Sequence, residues 1–97
     1  MAGSRKLLSP EEVHRYAAQA PHWKVLEGKK LSRAYTFPDF KMGLEFVNRV
    51  GEIAERQGHH PDVHLSWGRV EIEIWTHDVG GLTEQDFLLA SQIDHLN

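Results

Sequence analysis

The 97-residue sequence contains no cysteine. That absence excludes disulfide staples, thiolate metal sites and a cysteine nucleophile together. Long apolar runs are missing as well. Met1 to Pro10 carries Arg5 and Lys6 but only Leu7 and Leu8 as an apolar pair. A secretory signal needs an apolar region of roughly 7–15 residues, so none is expected. No stretch approaches the roughly 20 residues of a membrane helix. An excess of positive charge is lacking too: 11 Lys and Arg face 14 Asp and Glu, for a formal net charge of -3 and a pI near 6.1. The basic footprint of a nucleic-acid binder is therefore absent. Together these features set the expectation of a cytoplasmic protein that contacts neither membrane nor nucleic acid directly.

What the chain has in quantity is histidine, seven residues in all. Imidazole titrates near neutral pH, so the positions of these residues carry the functional question. The length fits one domain over residues 1–97, with residues 1–8 expected to be flexible. A domain this small buries a modest share of its surface, so self-association is anticipated.

Local patterns divide the chain into seven elements. Ser9 is placed to cap a helix whose first position is Pro10, and Glu12 completes a capping box. Val13, Tyr16, Ala17 and Ala20 follow at helical spacing, and Pro21 ends the segment. Trp23–Leu26 and Leu31–Phe37 read as strands joined by the glycine-containing turn at residues 27–30. Asp39 caps a long helix from Phe40 to about Gln57, with Phe40, Leu44, Val47 and Val50, together with Gly43 and Ala54, as its apolar stripe, widened by Phe46 and Ile53. Gly58 stands where a glycine stop belongs. Val63, Leu65 and Trp67 alternate with Asp62, His64 and Ser66. Gly68 marks a tight turn, and Val70, Ile72 and Ile74 then alternate with Glu71, Glu73 and Trp75. Gly80-Gly81 breaks the chain, and Thr83 caps a last helix bearing Phe87, Leu88 and Ile93. The expected fold is α+β: a four-stranded antiparallel sheet with three helices on one face, in the order helix-strand-strand-helix-strand-strand-helix.

Chemistry gathers where the long helix hands over to the third strand. Glu55 lies in the last helical turn, His59, His60 and Pro61 follow, and His77 ends the other arm of the hairpin. A hairpin brings those two ends together. The sketch therefore converges three histidines and a carboxylate on one corner of the sheet, a set suited to general acid–base work near pH 7.

The run Glu55-x-x-x-His59-His60-Pro61, followed by Trp67, His77 and Asp86, resembles the signature of the pterin-4a-carbinolamine dehydratases. Trp23 with Glu27-Gly28, Phe37-x-Asp39-Phe40, and Thr76-His77 through Gly81-Leu82-Thr83 are similar to family positions in the same order. The resemblance extends from about Ser9 to the end of the chain. It implies the α+β fold just described and the dehydration of a 4a-hydroxytetrahydropterin to a quinonoid dihydropterin, in tetrahydrobiopterin recycling. No cofactor is implied, because the pterin is the substrate and its nitrogens expel the hydroxyl.

His59 is then the leading general acid or base, with His77 its counterpart. His60 binds the pterin or assists proton transfer. Glu55, four residues before His59, orients it. Pro61 and Trp23 form apolar wall, and Asp78 joins the supporting group. The resemblance also implies a homodimer joined through sheet edges or a homotetramer joined through the long helix, and an aromatic amino acid hydroxylase as pathway partner. Animal members tend to have cysteine where this chain has Val79, and Gly58 and Asp78 also differ from side chains of some members.

Plainer readings stand beside these. Asp86, three residues after Thr83, is expected to close a capping box on the last helix rather than to act on substrate. Trp67 and Trp75 are expected to pack. His14, His22, His64 and His95 receive no role. A histidine metal site is the chemical alternative; it lacks a helical pair of ligands, because Pro61 and the strand pattern follow His60. The other alternative is a non-enzymatic binding module, since some members of the family act as dimerisation cofactors of a homeodomain transcription factor.

Overall fold

A computed structural model describes residues 6–96, so part of the N-terminal stretch expected to be flexible lies outside them. The described part of that stretch is tied down at Leu8, whose N–H donates to the Leu82 carbonyl at 2.9 Å. Three α-helices and four strands follow: α1 (Pro10–Ala17), β1 (Lys24–Leu26), β2 (Lys30–Thr36), α2 (Phe40–Gln57), β3 (Asp62–Ser66), β4 (Arg69–Ile74) and α3 (Glu84–Asp94). A 3-10 turn, His77–Val79, sits between β4 and α3. The strands form one antiparallel sheet in the order β1-β2-β4-β3. Both hairpins are as expected, and the second-hairpin strand β4 lies at the centre against β2.

The register explains the two faces. Leu31 pairs with Ile74 and Tyr35 with Val70, while Val63 and Leu65 of β3 pair with Ile72 and Val70. These residues point toward the helices. Leu31, Val70, Ile72 and Ile74 are completely buried with Val50, Leu89 and Ile93. Burying each such side chain contributes about 1.5–3 kcal/mol. The opposite face carries Ser32, Asp62, His64, Glu71 and Glu73, and so stays polar.

Within α2 the inward stripe is a narrower part of the expected one. Gly43, Phe46, Val50 and Ala54 are its buried residues, whereas Phe40 and Leu44 are exposed. At 100° per residue, Phe40 and Leu44 stand roughly 80–120° from the centre of that stripe. Gly43 allows the close approach: a β-carbon there would lie 3.1 Å from Leu65 Cδ1. Trp67 also departs from expectation. It is 73% exposed, because it occupies the two-residue turn with Gly68 between β3 and β4 and has left the strand alternation.

Candidate functional site

The site is built at the end of α2. Gly58 takes the left-handed conformation (φ 70°), and the N–H groups of Gly58 and His59 both donate to the Ala54 carbonyl, at 2.9 and 3.1 Å. This closes the helix and turns the chain sharply toward β3. Two adjacent histidines consequently leave the turn in different directions.

His59 goes inward. It is 5% exposed, and its Nε2 lies 2.6 Å from Oδ1 of the fully buried Asp86. The other carboxylate oxygen of Asp86 accepts from Thr76 Oγ1 and from the Thr83 N–H, each at 2.8 Å. Asp86 therefore does close the capping box on α3, as its spacing suggested. It also ties the start of α3 to the end of β4 and to the α2–β3 turn. Its bond with His59 could have been anticipated only from a topology that places α3 against the end of α2, since 27 residues separate the partners.

His60 goes outward. Its Nε2 lies 2.5 Å from Glu55 Oε2, with the two side chains 61% and 77% exposed. Glu55 thus serves His60 and not His59, which corrects the expected pairing. The physical reason is the Gly58 turn: it carries His59 beneath the helix end and leaves the outer side of the last turn to His60. His60, Glu55 and Pro61 border an open groove of about 760 Å³ between α2 and the start of β3, with Val47, Gly51 and Val63 as its apolar floor. That size is in the range of small-molecule clefts.

His77 begins the 3-10 turn and is exposed. The backbone around it is fixed by the Thr76–Gly81 bridge and by Gly80 in the left-handed region (φ 66°). Its ring lies 4.1 Å from that of Trp75. Because Thr76 bonds the same carboxylate as His59, His77 is held one residue away from the His59–Asp86 pair. The three histidines thus share one corner of the molecule, each with its own partner: Asp86, Glu55 and Trp75. Among the described residues no three His, Asp or Glu side chains group as metal ligands.

Asp78 is exposed in the 3-10 turn beside His77. Trp23 stands apart from this corner. It is 5% exposed, and its indole N–H donates at 2.9 Å to Asp94 at the far end of α3, where Arg33 also meets the same oxygen. It is a core residue and does not wall the groove, contrary to the expectation for it. Trp75 is not simply packed either, since its indole N–H donates to Asp62 at 3.2 Å.

Fold and site together define a small α+β protein with three histidines gathered at one corner of its sheet. The sequence profile described as pterin 4 alpha carbinolamine dehydratase matches residues 6–96. A relative from Rubrobacter xylanophilus, provisionally named a pterin-4-alpha-carbinolamine dehydratase, is 49% identical over 89 residues, covering 92% of this chain and 83% of that protein. One from Alkaliphilus metalliredigens, with the same provisional name, is 44% identical over 88 residues, covering 90% and 79%. A crystal structure of a transcriptional coactivator/pterin dehydratase from Brucella melitensis superposes with a TM-score of 0.86 at 25% identity, covering 94% of this chain and 98% of that one. A pterin dehydratase-like protein identified as a RuBisCO assembly factor in the alpha-carboxysome matches in fold, with a TM-score of 0.64 at 20% identity over 76% and 87% of the two chains. The chain belongs to the pterin-4a-carbinolamine dehydratase family.

Proposed function

We propose that the protein dehydrates a 4a-hydroxytetrahydropterin to the quinonoid dihydropterin and water. The observation that carries this reading is the gathering of one buried and two exposed histidines at one corner of the molecule, where His60 borders the α2–β3 groove. In the reaction the C4a–O bond breaks. A protonated imidazole delivers a proton to the departing hydroxyl, a ring nitrogen supplies the electron pair that expels it, and a second group takes the proton from a ring N–H. Both transfers suit imidazoles near neutral pH.

The exposed His60 and His77 are the groups that can meet substrate first. Glu55 holds the His60 ring through the contact of its Oε2 with Nε2 and so fixes which way the imidazole faces. His59, braced by Asp86, is the third participant, with its Nε2 committed to the carboxylate. Pro61 and the apolar floor take the flat ring. No metal or organic cofactor is required in this scheme. A cytoplasmic location, a homo-oligomeric state and supply of the substrate by an aromatic amino acid hydroxylase accompany the reading.

The test is stopped-flow absorbance of freshly generated 4a-hydroxytetrahydropterin with wild type, His60→Ala and His77→Ala. Wild type accelerates dehydration well beyond the spontaneous rate, and each variant loses roughly 100-fold or more of that acceleration. Unchanged turnover in both variants sinks the assignment of the histidines.

A second reading, a non-enzymatic partner-binding module, is favoured by one feature. Phe40, Met42 and Leu44 are 44%, 46% and 40% exposed along the first turns of α2. A folded wild type without any dehydratase activity moves the function to that surface.

A further inference from the structure

We propose that Trp75 is a positioning residue that presents His77 to the substrate, held in place by Asp62 and Lys30. The inference rests on the dehydratase reading and names a further working part of the same site.

His77 differs from the other two histidines in what holds it. His59 and His60 each engage a carboxylate. Among the described residues neither ring nitrogen of His77 has a hydrogen-bond partner, and its ring leans on an indole at 4.1 Å with the planes 44° apart. Both nitrogens therefore stay available for proton exchange. The orientation of the ring depends on whatever fixes the indole beneath it.

Three strands fix it. Trp75 follows the last residue of β4 on the polar face of the sheet. Its N–H reaches across to Asp62 Oδ2 on the edge strand β3, at 3.2 Å. From β2, Lys30 sets its ammonium 5.0 Å from the ring centroid, and Glu73 holds that ammonium at 3.5 Å. A cation over an indole is an attractive arrangement. The indole is thus tied to both neighbours of β4 and cannot swing freely. A pendant imidazole gains a defined position by resting on it, and a catalytic group misplaced by about 1 Å can cost a hundredfold in rate. Asp62 has a second effect, because it directly follows the His60-Pro61 pair; the same short segment therefore sets His60 at the groove and anchors the support of His77.

The experiment combines turnover with the ring-proton NMR signals of His77, which the indole ring current displaces. In Trp75→Leu those signals move to the values of an unstacked histidine, and kcat falls roughly tenfold to a hundredfold while KM changes less than twofold. Trp75→Phe, which keeps an aromatic face, restores most of both. Asp62→Ala, which leaves the indole in place but unanchored, loses part of each. In a His77→Ala background Trp75→Leu has no further effect on kcat. Wild-type kcat in Trp75→Leu overturns the proposal, and so does a loss in that variant that persists undiminished without His77, for the residue would then support the fold generally. A wild type that fails to accelerate dehydration overturns the parent reading instead, and with it any catalytic meaning of the Trp75–His77 contact.

Discussion

At the scale of single residues, the two adjacent histidines are energetically unlike. His59 and Asp86 form a buried hydrogen-bonded pair, and removing one side of such a bond costs about 1–3 kcal/mol because a buried polar atom loses its partner. His60 and Glu55 are exposed, where an ion pair contributes about 0–1 kcal/mol. In urea titrations His59→Ala should therefore lose several-fold more stability than His60→Ala. Equal losses would mean that Thr76 and the Thr83 N–H satisfy Asp86 by themselves. The same contrast makes His60→Ala and His77→Ala the better probes of chemistry, since a rate lost in His59→Ala could follow from lost structure.

Tyr35 offers a second residue-scale test. Burial, then the charge of Asp94, pushes its hydroxyl up to about 12, with Arg33 opposing. The folded state therefore holds the proton after the unfolded chain has released it. Stability from this residue is fully present below pH 10 and drains away as the pH rises from about 10 to about 12. Alkaline denaturation of Tyr35→Phe should show a shallower loss over that window. An unchanged profile would assign the alkaline sensitivity to other groups.

At the scale of elements, caps decide where helices begin and end. Ser9 Oγ accepts from the Glu12 N–H at 3.2 Å, and Glu12 Oε1 accepts from the Ser9 N–H at 2.8 Å. The Ser9 backbone bond and then its side-chain bond hold the Glu12 carboxyl below its usual range. This stabilisation is present above the ordinary carboxylate pKa and is lost as pH falls through the lowered one. Helix α1 should accordingly loosen in acid before the rest of the domain, as read by amide exchange in α1. Glu12→Gln should remove most of that pH dependence. At the other helix end, Gly58 has open space around it but a φ of 70°. Gly58→Ala should cost about 1–2 kcal/mol through backbone strain alone. It should also disturb His59 and His60 together, a paired change visible in their NMR shifts.

At the scale of the whole molecule, one core joins sheet and helices, and its aromatic centre is Phe46 between Tyr35 and Phe37, with centroids at 4.6 and 5.3 Å. Phe46→Ala should cost about 3–5 kcal/mol in equilibrium unfolding. Outside that core, the exposed Phe40, Met42 and Leu44 leave part of α2 uncovered. Light scattering on wild type and on a Phe40→Ser/Leu44→Ser variant reads whether copies of the chain cover this surface. A drop in mass in the variant assigns the surface to self-association; unchanged mass leaves it for another partner.

Much of this organisation was legible in the linear sequence, because it rests on local rules. The capping boxes at Ser9 and Thr83, the limits of α2 between Asp39 and Gly58, and the strand alternation of Val70, Ile72 and Ile74 all follow from interactions within a few residues. Hairpin pairing then brought the histidine-bearing ends of β3 and β4 to one corner. What the sequence left undetermined was direction. Spacing put Glu55 four residues from His59, yet a left-handed glycine between helix and strand handed the carboxylate to His60. Trp23 and Trp67 exchanged expectations for the same reason: burial depends on which surfaces the tertiary packing brings against a residue, and no local pattern reports that. Only the folded chain could set Asp86 against His59 and Asp62 against Trp75, since those contacts join elements whose relative placement is decided by packing α3 and the edge strand onto a common sheet.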